Sequence, residues 1–527
     1  MSKRDMLNAM VECYGNRPDL TYFPGDMTSI RSYFDYMQVE GDDAFLIDDA
    51  TWDDLDMDTV FKRMNLGISN SGEQYLYYLL HAPAQEREEF ERRRKLIELM
   101  ERDHALREAL HYRLAGLGRR NGVNVFELFQ MESSSRKNLL VYTALALGLV
   151  VSALLTALTQ LVGFLMLTLG LVIFNGLFHT RRRQRDTWKI NTLQYCAAMI
   201  STLKKVCGMK REALKPYLSG ADAALERLKR LRGVIASGTA DMIMEFFSMF
   251  FLLDLISFER RKNELAKHQR EFLDINEILG RLDAAICVAS YRKSVPVYTI
   301  PEIDFDANAS YLSCTGAVHP LIDRCIPNSV DMRKSILLTG SNASGKTTFL
   351  RTLAINLIMA QGVCTALAEE LRCTPFRILT SIDIQDNLAT GDSYYIAELK
   401  SLHKIVDEVT QPGRPVFCCL DEIFRGTNAV GRISASAEIL SYLEQRCLCA
   451  AATHDVELCA ILTQFSLYHF EEQIEDGEMF FDYLLKSGYS KTSNAIKLLE
   501  LMGFPPDVVS RAQHRAAHYL EKRDWNG

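Results

Sequence analysis

Two glycines with four residues between them, Gly340 and Gly345, run directly into Lys346 and Thr347 in the stretch KSILLTGSNASGKTTFLRTLAINLIMAQG. An apolar run (Ser335 to Thr339), a glycine loop and a helix-spaced apolar pattern form the setting in which this spacing cradles phosphate. Glycine lets successive backbone N–H groups turn onto an anion at the positive end of the following helix. The spacing assigns phosphate contacts to Gly340, Ser341, Asn342, Ala343, Ser344, Gly345, Lys346, Thr347 and Thr348. Lys346 supplies a point charge to the terminal phosphates, and Thr347 a hydroxyl to Mg²⁺. Further on, PVFCCLDEIFRGTN reads as a buried strand that delivers Asp421 and Glu422 to its C-terminal edge, where open α/β sheets place their chemistry. Asp421 is expected beside Thr347 in the Mg²⁺ shell, and Glu422 to orient or deprotonate a water. A third strand, CLCAAATHDVEL, ends in His454, placed to sense a γ-phosphate. Together these residues predict hydrolysis of ATP with Mg²⁺, with Lys346, Glu422 and His454 as the catalytic set. A solvated strand end at Asp421-Glu422 and a structural histidine at 454 are the plainer alternatives, and the order and spacing of the three segments argue against them.

The elements that must hold these residues fall into four stretches. After Pro296 and Pro301 the chain alternates strands with helices, which predicts a P-loop α/β ATPase domain over residues 301–527. Residues 179–300 read as long amphipathic helices forming a lever or core domain. Within them MIMEFFSMFFLLDLISF, from Met242, is interrupted by Glu245 and Asp254 and reads as a core helix that continues into a very long one. Residues 1–138 are charged and mainly helical, an exposed arm. The fold class expected is α+β and multidomain: a long-helix core with an inserted hydrophobic helical hairpin, then the ATPase domain. The thirteen cysteines have no paired CxxC spacing and read as reduced thiols, and the first residues lack a signal-peptide apolar region, which predicts a cytoplasmic start. A net charge of −7 neither requires nor excludes nucleic acid.

The remaining stretch, Leu139 to Phe178, has no charged residue. A spanning helix needs about 20 apolar residues, so this run predicts two spans that meet near Thr159-Gln160. Arg136 and Lys137 before it, and RRRQR (Arg181 to Arg185) after it, place both ends on the cytoplasmic side. That reading gives a cytoplasmic-membrane protein with its ATPase domain in the cytoplasm. The alternative is a helix pair buried in a bundle of a cytoplasmic protein.

Several segments in order resemble the MutS family of DNA mismatch-repair ATPases, relatives of the ABC-type ATPases. GSNASGKTTFLR is similar to the family's P-loop, with Asn342 at its asparagine. DNLATGDSYYIAELKSL resembles the signature segment, in which a serine, here Ser393, reaches a partner's nucleotide. LDEIFRGTN and ATHDVEL resemble the Walker B and switch-histidine segments, and VHPLID the short motif before the domain. GYSKTSNAIKLLELMGFPPDVVSRA is similar to the closing segment, and IDDATWDDLDMDTVFKRMNLGISNSGEQYLYYLL to the start of the helical core. The resemblance implies a homodimer with composite ATP sites and contact with mismatched or structured DNA. It leaves open an ATP-gated DNA-binding or scaffold module in which hydrolysis is incidental. Three departures qualify it. Only residues 1–46 precede the core-like start, so mismatch reading by the family's wedge is not expected. The apolar run occupies the place of the DNA clamp. Cys325 stands where relatives carry an aromatic that stacks on adenine.

Overall fold

The computed structural model describes residues 12–40, 45–130, 135–229, 242–341, 344–382, 394–475, 478–489, 496, 499 and 502–522. The chain has a mixed α/β architecture and divides into two units. The first comprises Met1–Asp43, Phe61–Leu79 and Arg93–Ser294, and the second Ala44–Val60, Leu80–Arg92 and Val295–Gly527. The helices that open the chain are α1 (Asp26–Glu40), α2 (Asp49–Asp54), α3 (Met57–Met64), α4 (Asn70–His81), α5 (Arg87–Arg102), α6 (His104–Ala115) and α7 (Val125–Gln130). There follow α8 (Ser135–Thr159), α9 (Val162–Cys207), α10 (Ala221–Arg227), α11 (Met242–Phe251), α12 (Leu253–Ala266) and α13 (Gln269–Ser294).

In the first unit the apolar run forms α8 and the first part of α9, reversing at Gln160, whose φ of +51° opens the turn. Hydroxyls join the pair: Thr168 donates to Ser152 at 3.1 Å and lies 3.2 Å from the Thr156 hydroxyl. Their outer faces are bare, with Leu140, Leu154, Leu158, Met166, Ile173 and Leu177 each more than half exposed. The chemical change at Arg181 does not stop the helix. No Gly or Pro follows until Gly208, so α9 continues through RRRQR for 46 residues, about 69 Å at 1.5 Å per residue. The single long helix expected after Met242 is instead three. Leu252 adopts a left-handed φ of +52° and separates α11 from α12, and Phe247 and Leu253 are exposed at 52% and 45%, so this run is only partly core.

The heart of the first unit is polar as well as apolar. Glu73 of α4, 2% exposed, accepts from Asn65 Nδ2 at 2.8 Å and pairs with Arg119 Nε at 3.0 Å. Asp283 of α13, fully buried, accepts from the Ser69 hydroxyl. Burial pushes both carboxyls up to about 7.

The second unit is built on strands β1 (Glu302–Ile303), β2 (Leu312–Ala317), β3 (Asn328–Met332), β4 (Ile336–Thr339), then α14 (Lys346–Val363), β5 (Glu370–Cys373) and β6 (Arg377–Ser381). It continues with α15 (Tyr394–Thr410), β7 (Val416–Asp421), α16 (Ala429–Glu444), β8 (Leu448–Ala452), α17 (Glu457–Ile461) and β9 (Ser466–His469). The last elements are β10 (Glu472–Glu475), β11 (Glu478–Phe481), β12 (Lys486–Ser487) and α18 (Pro506–Lys522). The main sheet has the order β12-β9-β4-β8-β7-β6, parallel except for β12. Every residue of β4, β6, β7 and β8 is buried, as strands covered on both faces require.

A segment far away in sequence is stitched into this unit. Asp54, at the end of α2, accepts from Ile382 N at 2.9 Å and from the Thr380 hydroxyl at 2.6 Å. Thr380 N donates to the Thr51 hydroxyl at 3.2 Å. Trp52 stacks on His81 at 3.5 Å, and Ala84 N donates to Gln361 O at 3.0 Å.

Candidate functional site

The parallel strands β4, β7 and β8 end side by side, and their C-terminal edges present the residues singled out by spacing. Gly340 (φ +145°) and Gly345 (φ +110°) turn the chain from β4 into α14. A Cβ at Gly340 would stand 2.6 Å from Phe470 O, so glycine is required there by space as well as by φ. Lys346, 4% exposed, curls back to donate to Gly340 O at 2.7 Å and Ser341 O at 2.9 Å. Burial lowers its ammonium, and the nearby Glu422 and Asp421 carboxylates oppose that. The buried Ser344 hydroxyl has no hydrogen-bond partner among the described residues and faces the loop interior at Gly340. Asn342, Ala343 and Ser393 lie outside the described residues.

Asp421 closes β7, where register pairs it with Ala452 of β8. Its Oδ2 accepts from the Thr347 hydroxyl at 2.5 Å, while Oδ1 is buried with no hydrogen-bond partner among the described residues. Burial raises this carboxyl. An orphaned carboxylate oxygen beside a threonine hydroxyl is a donor set that fits a hard divalent cation such as Mg²⁺. Glu422 follows in a left-handed conformation (φ +51°), which swings its carboxylate toward Lys346 Nζ at 3.8 Å and against His454 Nε2. Burial pushes Glu422 up, but the hydrogen bond from His454 and the charges of His454, Arg425 and Lys346 together hold it below the usual carboxylate range. His454 Nδ1 stands 3.1 Å from Gly340 O and 3.5 Å from Lys346 Nζ. Lys346, Thr347, Asp421, Glu422 and His454 are therefore one cluster.

A cavity of about 470 Å³ opens above Gly345, Lys346, Thr347 and Thr348, walled by Ile322, Cys325 and Ile326 on one side and Phe470 and Tyr483 on another. Asn328 fixes the Tyr483 segment, donating to Tyr483 O at 2.9 Å and accepting from Leu485 N at 2.7 Å. Phe470 and Tyr483, both beyond β9, line the cavity with aromatic rings close to Gly345. Sequence reasoning missed Phe470 and Tyr483, which no motif marks, and also Arg425. Arg425 Nε binds Glu422 Oε2 at 2.9 Å, and its spacing of three and four from the two acids was a usable signal.

With this geometry in view, residues 336–520 match the family model of MutS domain V. The chain carries a MutS domain V. Relatives include proteins named DNA mismatch repair protein MutS from Pseudothermotoga lettingae, 29% identical over 254 residues, and from Thermus thermophilus, 30% identical over 271 residues. A third, from Roseiflexus, is 31% identical over 258 residues. These matches cover 46%, 50% and 46% of this chain and 30%, 32% and 23% of the relatives, so the likeness spans about a third of their length or less. The MutS domain V match begins at Ile336, the first residue of β4, and takes in every strand that carries the cluster.

Proposed function

We propose that this chain binds and hydrolyses ATP with Mg²⁺ as a dimeric switch, tethered to the cytoplasmic membrane through residues 139–178. The observation that carries the ATPase reading is the convergence of Lys346, Thr347, Asp421, Glu422 and His454 at the edge of β4, β7 and β8, below a cavity of 470 Å³. Thr347 and Asp421 would hold the Mg²⁺, which when bound supplies positive charge to phosphate oxygens. The backbone from Gly340 to Gly345 and the N-terminus of α14 favour the phosphate anions, and Lys346 neutralises them. Glu422, ionised near neutral pH, takes up the proton of an attacking water, and His454 keeps the carboxylate aimed. Ile326, Phe470 and Tyr483 wall the cavity in which the nucleotide would lie. Ser393 is proposed to complete the partner's site in trans.

The experiment is steady-state hydrolysis by the purified full chain beside Lys346→Ala and Glu422→Gln. Wild-type turnover lost in both variants supports the reading, and turnover that survives both sinks it. The relatives' name carries DNA, and contact with structured DNA is proposed for this chain on that ground. Mobility shifts with homoduplex, mismatched and branched DNA across a salt titration test it, with binding absent at low salt as the contrary outcome.

A further inference from the structure

The loop that carries Glu422 is bent against its own preference. Glu422 (φ +51°) and Phe424 (φ +64°) both occupy the left-handed region. For residues other than glycine that costs about 1–2 kcal/mol each, and such a conformation persists only where neighbours fix it. Two backbone donors do the fixing. Glu422 N donates to Ala452 O of β8 at 2.9 Å, and Phe424 N donates to Glu398 Oε1 of α15 at 2.5 Å. Glu398 is 2% exposed, and its Oε2 has no hydrogen-bond partner among the described residues. A carboxylate buried this far is a net loss to the fold unless its hydrogen bonds do what an apolar side chain cannot. Burial raises the Glu398 carboxyl, while the amides of Phe424 and Arg425 draw it back toward the charged form. One helical turn earlier, Tyr395 Cβ lies 3.1 Å from where a Cβ at Gly426 would stand, so α15 meets the loop at a second point.

We propose that Glu398 is the positioning residue for Glu422: by accepting from Phe424 N it holds the left-handed turn that aims the Glu422 carboxylate at Lys346 and His454. The inference rests on the ATPase reading and deepens it. Residues 386–402, which resemble the family's signature segment, take in the first half of α15 and Glu398 itself, so the orientation of this helix acts on Glu422 through one buried carboxylate.

The test uses the full chain, with ATP turnover and nucleotide affinity measured separately. Glu398→Leu removes the acceptor and is expected to lower kcat about 10- to 100-fold, the effect of a reacting group misplaced by about 1 Å, with ATP affinity changed less than about twofold. Glu398→Gln keeps a carbonyl acceptor and is expected to recover most of that loss. In a Glu422→Gln background Glu398→Leu should cause no further fall. Gly426→Val, which presses on Tyr395 without touching Glu398, should lower kcat in the same selective way and serves if Glu398→Leu does not fold. Wild-type turnover with Glu398→Leu or Gly426→Val equally active overturns the proposal. So does a Glu398→Gln variant as impaired as Glu398→Leu with affinity and turnover falling together. A wild-type chain without turnover overturns the ATPase reading along with this one.

Discussion

At the scale of single residues, the site separates binding from chemistry. Lys346 and Thr347 sit on the proposed phosphate side beyond β4, whereas Glu422 reaches the cluster from the end of β7, across β8, with its carboxylate held ionised by His454, Arg425 and Lys346. Glu422→Gln keeps the shape and removes the base. It should lower kcat by about 10²- to 10⁴-fold while MgATP affinity stays within about threefold, read by phosphate release and by equilibrium nucleotide binding. An equal loss of affinity and turnover would place Glu422 in binding instead. The pH dependence has a definite sign. Because the folded value of Glu422 is depressed, its contribution is present above the ordinary carboxyl range and is lost only as pH falls through the lower folded value. Turnover limited by this base is therefore expected to be flat from about pH 6 to 8 and to fail on the acid side. A loss that begins near neutral pH would point to a different titrating group.

At the scale of elements, α2 is the least foreseen contributor. Asp54 satisfies the Thr380 hydroxyl and the Ile382 amide at the end of β6, and both would be buried without a partner if it were truncated. Asp54→Ala should cost the second unit about 2–4 kcal/mol in urea unfolding, and Asp54→Asn, which still accepts, clearly less. Identical midpoints for Asp54→Ala and wild type would show that α2 does not secure β6. The contrast with β4, β7 and β8 explains what was readable. Their apolar runs and the glycines at 340 and 345 are local signals with one physical solution, so the site cluster could be located from spacing. The pairing of Asp54 with Thr380 crosses 326 positions and uses a side chain, which no period records. For the same reason a boundary drawn at residue 301 does not include the stretches 44–60 and 80–92 that pack into the second unit. The breaks at Leu252 and after Ala266 carry neither Gly nor Pro, and so a single long helix was expected there. In the first unit, Glu73 of α4 and Asp283 of α13 are raised to about 7, so their contribution is complete below the ordinary carboxyl range and is lost as pH rises through 7. Its melting temperature should fall by at least about 3 °C between pH 5.5 and 8, and Glu73→Gln with Asp283→Asn should flatten that slope. A slope unchanged by the pair would remove these acids as its cause.

At the scale of the whole molecule, the proposed membrane tether rests on the two long apolar helices. The apolar windows of α8 and α9 have mean hydropathies of 2.3 and 1.9, and only 17% of each is buried within the chain. Leaving this much apolar surface in water is unfavourable by about 25 cal/mol per Å², so something must cover it. A lipid bilayer suits the details better than a protein partner. Ser152, Thr156 and Thr168 satisfy one another inside the pair, as polar groups within hydrocarbon must, and the helices reverse at the uncharged Thr159-Gln160. At the other end, exposed Lys137, Arg181, Arg183 and Arg185 form a basic collar where a cytoplasmic leaflet would lie. The tagged full chain is therefore expected to sediment with membranes and to resist alkaline carbonate. Replacing residues 139–178 with a short Gly/Ser turn should release it into the soluble fraction with ATP turnover intact. A wild-type chain that stays soluble, or one that carbonate strips as readily as the replacement variant, would assign the exposed faces of α8 and α9 to contact with protein rather than lipid.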